Sequence, residues 1–131
     1  MNSSAEYVLD SSALIALLGL EAGHERVAGL LDRSVISAVN LAEIVNKLAR
    51  ETPSASEVRQ LLADMELTVV DWSEDMAYRS VEFTRFNKSH ELSLGDRACL
   101  TLAKQRKATA VTSDRAWRNL PALGVHIMIF R

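Results

Sequence analysis

The sequence predicts an α/β fold: a three-layer α/β/α sandwich around a central, mostly parallel five-stranded sheet. Two observations lead there. Short runs rich in β-branched residues alternate with stretches of helical apolar spacing along the whole chain. The strand candidates are also separated mainly by helix candidates, the pattern of β-α-β units whose sheet is covered on both faces. The length of 131 residues fits one compact domain spanning 1–131, with no repeat, low-complexity tract or linker to divide it.

Taken in order, residues 6–9 read as a short buried strand ending at Asp10. Residues 12–20 and 24–33 read as two helices, and 34–37 as the second strand. Residues 39–50 carry Leu41, Ala42, Val45, Leu48 and Ala49 at helical spacing. Thr52 and Pro53 break that pattern. Ser54 and Glu57 then form a capping-box signature for a helix running to about residue 65. The third strand is 67–70, followed by a long amphipathic helix over 73–86 and a polar loop over 87–91. A helix over 95–106 leads to the fourth strand, 109–112, and the fifth is 125–130.

Composition narrows the function. Hydrophobic residues make up 48% of the chain and charged residues 24%, an ordinary soluble balance. No apolar run approaches the roughly 18 residues of a membrane span. The N-terminal segment has neither a basic region nor an apolar signal core, so the expected location is cytoplasmic. Cys99 is the only cysteine, which excludes an internal disulfide, and its apolar neighbours suggest a buried, inert thiol. The net charge of −2 argues against a generic nucleic-acid coating protein. It does not exclude a nuclease, because metal-binding carboxylates themselves lower the net charge.

Four acids stand where ligands bind in open parallel sheets, beyond the carboxyl ends of the strands. Asp10 follows the first strand and Asp114 the fourth. Glu43 lies in the early turns of the helix after the second strand, and Asp96 opens the helix before the fourth. Each taken alone is also explained by helix capping. Asp10 can cap the helix beginning near Ser11, and Asp114 the turn from Arg115 to Trp117. Ser93 with Asp96 fits a capping box, as does Asn40 with Glu43 in a shorter helix register. As a converging set they are harder to explain by capping. Carboxylates about 5 Å apart repel by roughly 3 kcal/mol at an effective dielectric of about 20, so the cluster needs a cation or raised pKa values. Oxygen donors without His or Cys favour Mg²⁺ or Mn²⁺ over Zn²⁺.

The words around the acids carry a resemblance. Val8-Leu-Asp-Ser-Ser-Ala-Leu-Ile-Ala16, Val39-Asn-Leu-Ala-Glu-Ile44, Leu92-Ser-Leu-Gly-Asp-Arg97 and Val111-Thr-Ser-Asp-Arg-Ala-Trp117 resemble, in order, the four motifs of PIN-domain ribonucleases. The ending from Leu120 to Ile127 is also similar. Within that family the sequence is most similar to VapC-type toxins of bacterial toxin–antitoxin pairs, although related PIN-domain nucleases process RNA without being toxins. The resemblance implies a Mg²⁺-dependent endoribonuclease that leaves 5′-phosphate and 3′-hydroxyl ends. It also implies a homodimer, inhibited by a cognate VapB-type antitoxin. By position it makes Asp10 and Asp96 the principal metal ligands, with Glu43 and Asp114 completing the acidic site directly or through water. Thr112 matches the hydroxyl that often accompanies the last acid, and is equally an ordinary strand residue. A single-stranded loop of transfer or ribosomal RNA is the expected substrate.

Basic residues near the acids are candidate phosphate ligands. Asn40, Glu43, Lys47 and Arg50 recur on one helix face, and Arg97 and Arg115 immediately follow proposed metal ligands. A solvated helix face or charge pairing at helix ends explains them as well. The histidines His24, His90 and His126 show no ligand spacing. Trp72 is expected to pack rather than stack on a base, and Trp117 has no assigned role. Two other classes compete. A phosphoryl-acceptor domain also places an Asp at a strand end, but the paired acids of a receiver are missing after the first strand, and position 12 is Ser where haloacid-dehalogenase-like proteins want a second Asp. A binding module would use the acids only as caps.

Overall fold

Five short strands, β1 (Tyr7–Leu9), β2 (Ser34–Ser37), β3 (Thr68–Val70), β4 (Thr109–Thr112) and β5 (His126–Ile129), form one sheet in the order β3-β2-β1-β4-β5. All four pairings are parallel, so the sheet expected to be mostly parallel is wholly so. The computed structural model describes residues 6–51, 54–88, 91–119 and 124–131. Parallel neighbours need crossovers. Here these contain α1 (Ser11–Gly19), α2 (His24–Leu30), α3 (Ala38–Ala49), α4 (Ala55–Ala63), α5 (Glu74–Arg79) and α6 (Leu94–Arg106).

Side chains of the central strands alternate between the two helical layers, as a period of two requires. Val8 and Ala110 face a core that includes Met76, Phe83, Leu100 and Leu102, from α5, the segment after it and α6. Leu9 and Val111 face the opposite side, against Ala13, Ala16, Val27 and Phe130. Ile36 extends that second layer to Leu14 and Ile44, joining β2 to α1 and α3. The result is the expected α/β/α sandwich. Among the described residues no helix is long and apolar enough to cross a membrane.

Two helices are shorter than their spacing predicts. The helix expected over 24–33 stops at Leu30, and Leu31–Arg33 tighten into a 3-10 turn. The helix expected over 73–86 is regular only over Glu74–Arg79, and Ser80–Lys88 are 3-10. Ser80 Oγ donates to Ala77 O (2.7 Å) and Thr84 Oγ1 to Val81 O (2.7 Å), each three residues back. Hydroxyls that bond backward to the chain compete with regular helical geometry. Residues 87 and 88 therefore belong to this 3-10 segment rather than to the polar loop expected over 87–91. Thr52, Pro53, His90 and the first half of the motif from Leu120 to Ile127 lie outside the described residues.

The strand order reverses between β1 and β4: the chain runs outward from β1 through β2 to β3, then returns to β1's other side. The carboxyl ends of β1 and β4 thus border the crevice where parallel sheets bind ligands.

Candidate active site

Asp10 leaves β1 in an extended conformation and caps α1. Its backbone N–H still reaches β4, donating to Val111 O at 3.1 Å. Both carboxylate oxygens are held. Oδ1 accepts from Ala13 N (3.0 Å) and Ser12 Oγ (2.6 Å), and Oδ2 accepts from Thr112 Oγ1. Two hydroxyls then extend the network to β4. Ser12 Oγ accepts from Ser113 N (3.0 Å), and Thr112 Oγ1 from Asp114 N (3.1 Å). Asp10 is only 6% exposed. Burial outweighs its hydrogen bonds and, with repulsion from Asp96 added, holds its carboxyl up at about 6.

Asp96 sits in the first turn of α6. Ser93 and Asp96 form the expected capping box, with Ser93 N donating to Asp96 Oδ2 (3.0 Å) and Asp96 N to Ser93 Oγ (3.1 Å). Partial burial raises its pKa despite those bonds, and Asp114 and Glu43 add repulsion. Asp114 Oδ1 accepts from Ala116 N (3.0 Å), capping the 3-10 turn Arg115–Asn119. Glu43 is different. The cap of α3 is Ser37, so the shorter register with Asn40 as cap is not formed. Glu43 lies a turn and a half into the helix, where Oε1 accepts from Ser11 Oγ and from Asn40 Nδ2 (3.2 Å).

All four acids therefore border one crevice at the strand-order switch. Asp96 is central, since Asp10, Glu43 and Asp114 all lie within its electrostatic reach. As the side chains stand, no three His, Cys, Asp or Glu among the described residues close on one point tightly enough to grip an ion. Each carboxylate instead turns to its own hydrogen-bond donors. The donor chemistry nevertheless fits a hard divalent cation, being oxygen only, crowded and with raised affinity for protons at Asp10 and Asp96. A cation would offset the same buried negative charge that protons at Asp10 and Asp96 offset.

The basic candidates divide. Lys47 is exposed on α3 and Arg50 at its C-cap, both beyond Glu43. Arg97 donates to Leu92 O (2.6 Å) and Arg115 to Arg131 O (3.0 Å), so both hold backbone near the site. His24 pairs with Glu25 at 3.5 Å, and His126 is exposed on the edge strand. Trp72 packs half-buried against the core, and Trp117 is fully buried in it. Cys99 is also fully buried, its pKa raised well above the usual thiol range by that burial.

Sequence reasoning missed the hydroxyls of Ser11 and Ser12, and treated Asn40 as one point on a helix stripe. Asn40 is 1% exposed and lies among the acids' supports. The signal for Ser11 and Ser12 was their place at the first two helical positions after a capping Asp, where side chains crowd the helix end.

The architecture and site define an α/β domain with an acidic crevice at its switch point. The model of the PIN domain matches residues 7–123. In structure the chain is similar to DNA-bound VapBC from Salmonella typhimurium, at 17% identity over 95% of this chain and 98% of that chain, TM-score 0.72. VapBC2 from Rickettsia felis, bound to a promoter DNA fragment, matches at 18% identity over 93% of this chain and 96% of that chain, TM-score 0.71. VapC20 from Mycobacterium tuberculosis, a Sarcin-Ricin loop cleaving toxin, matches at 17% identity over 92% of this chain and 99% of that chain, TM-score 0.67. No curated protein sequence matches the chain. The chain belongs to the PIN-domain family, whose members are generally nucleases.

Proposed function

We propose that this protein is a Mg²⁺- or Mn²⁺-dependent endoribonuclease and the toxin of a VapBC-type toxin–antitoxin pair. The observation that carries the reading is the meeting of Asp10, Glu43, Asp96 and Asp114 at one end of the sheet, with Asp96 within electrostatic reach of the other three. Asp10 and Asp96 would be the principal ligands, and Glu43 and Asp114 would complete the site. A divalent cation held there would polarise the phosphodiester, lower the pKa of a water and offset charge on the leaving oxygen.

The protein's own work is to place the acids and the RNA. Ser12 and Thr112 fix both oxygens of Asp10, and Thr112 ties the Asp114 backbone to the same carboxylate. Lys47 and Arg50 extend from Glu43 along the exposed face of α3 and would take phosphates there, with Arg97 and Arg115 closer in. The expected substrate is a single-stranded loop of transfer or ribosomal RNA in the cytoplasm, and VapC20's description as a Sarcin-Ricin loop cleaving toxin is consistent with a loop substrate. The Salmonella and Rickettsia neighbours are VapBC complexes, which supports a VapB-type antitoxin as partner. The free toxin would be a homodimer.

The test is cleavage of total RNA by purified protein with Mg²⁺, with EDTA, and with Asp10→Ala or Asp96→Ala. Cutting is expected only for the unaltered protein with metal. Cutting that survives chelation and both substitutions would overturn the reading. A second reading, a non-catalytic binding module, is favoured by one observation: Asp10, Asp96 and Asp114 all serve as caps. A melting temperature that does not move on adding Mn²⁺ would select it, because binding to the folded state alone must stabilise it.

A further inference from the structure

We infer that Asn40 and Gly95 together are the positioning device for Glu43, a role that rests on the metal-site reading above. Asn40 sits in α3 and is 1% exposed. Its Nδ2 faces three acceptors from three helices: Ser11 Oγ on α1 (3.2 Å), Glu43 Oε1 on α3 (3.2 Å) and Gly95 O on α6 (3.0 Å). An amide nitrogen has two hydrogens, so these three acceptors share them. Ser11 closes the ring by donating to Glu43 Oε1, and its hydroxyl also lies 3.4 Å from Asn40 O.

Gly95 supplies the space. A Cβ at this position would overlap the Glu43 carboxylate, so only glycine lets that group lie against the first turn of α6. Its φ is not in the left-handed region, so the requirement is room rather than backbone freedom. Asp96 is the next residue. The Asn40 bond to Gly95 O therefore fixes the distance between Glu43 and Asp96 through a single helical turn.

The chemistry of residue 40 matters as well as its shape. A neutral amide can hold a carboxylate without neutralising it, which leaves the negative charge for a cation. Lysine there would cancel the charge, and aspartate would add repulsion. Asn40 Oδ1 is buried and has no hydrogen-bond partner among the described residues. A buried acceptor without a partner has a cost, which is tolerated here while the donor side of the same amide joins three helices.

The experiment compares unaltered protein with Asn40→Asp, Gly95→Ala and Glu43→Gln, and with each of the first two combined with Glu43→Gln. Mn²⁺ binding is followed by calorimetry, and metal-free crystal structures locate the Glu43 side chain. Asn40→Asp and Gly95→Ala are each expected to weaken Mn²⁺ binding about tenfold, as loss of a ligand's supporting partner does. Neither should weaken it further once Glu43 is Gln. A structural role alone would lower stability but leave Mn²⁺ affinity unchanged, or would add fully to Glu43→Gln, and either result overturns the inference. In metal-free crystals the Glu43 carboxylate should leave the first turn of α6 in both single variants. A carboxylate that keeps its place overturns the inference whether or not metal binds. If the unaltered protein binds no Mn²⁺, the metal-site reading fails, and the crystals alone decide the placement of Glu43.

Discussion

Replacing Asp10 by Asn should stabilise the metal-free protein at neutral pH. The carboxyl is buried, and its pKa stands at about 6 against an ordinary 3.8. A folded-state pKa raised above the unfolded value means that the native state binds the proton more tightly. The stability this contributes is complete below about pH 3.8 and is lost as pH rises through about 6. At 1.36 kcal/mol per pH unit, the loss reaches roughly 3 kcal/mol by pH 8. Asparagine caps a helix as well as aspartate, so its Oδ1 can keep the bond from Ala13 N. Its Nδ2 can in turn donate to Thr112 Oγ1. The variant therefore keeps the cap and loses the ionisable group. Urea denaturation in EDTA at pH 4 and pH 8 measures the outcome. The advantage of the variant over the unaltered protein should grow by up to roughly 3 kcal/mol between those pH values. The same difference at both would refute the account of Asp10 as a carboxylate strained by burial.

Two further outcomes follow from the supporting residues. Thr112→Val removes the donor to Asp10 Oδ2 and the acceptor of Asp114 N together. It should cost about 1–3 kcal/mol in urea denaturation, more above pH 6 than below, since an ionised Asp10 loses more; a pH-independent cost would show that Thr112 does not act through Asp10. Charge reversal at Lys47 and Arg50 should weaken RNA binding and lower the slope of log affinity against log salt by about 0.7 for each phosphate no longer neutralised. An unchanged slope would remove both from the proposed RNA path.

Much of this was legible from the chain. Asp10 and Asp114 can be placed at strand ends because Tyr7–Leu9 and Thr109–Thr112 are short runs rich in β-forming residues, each followed by polar residues. Asp96 was placed at a helix start because Ser93 precedes it by three. What could not be read was whatever depends on two helices meeting. Asn40 is 29 residues from Ser11 and 55 from Gly95, and no local spacing announces that one amide serves both. Gly95 looked like an ordinary helix residue, because the need for glycine comes from Glu43 on another helix. Trp117 had no readable face, since the 3-10 turn carrying it is too short to show a period, yet its ring is buried on the α6 side of the sheet. The amphipathic stretch over 73–86 misled for a related reason. Apolar spacing shows which residues face the core, but not whether hydroxyls such as Ser80 and Thr84 will tighten the turns between them.

Capping and metal binding looked like rival explanations of the same acids, and the hydrogen bonds explain why they need not compete. Asp10 and Asp96 each accept backbone N–H groups at the start of a helix, where aligned peptide dipoles place about half a positive charge. Asp114 accepts one at its 3-10 turn. These bonds offset part of the repulsion among carboxylates gathered in one crevice, and they do so without a cation. A fold held this way is expected to form without metal, unlike a closed structural site whose ligands organise the chain. The raised pKa values at Asp10 and Asp96, set first by burial and then by the neighbouring carboxylates, reflect what the caps leave uncompensated. That remainder is the part of the electrostatic free energy which a bound cation, rather than another hydrogen bond, is suited to supply.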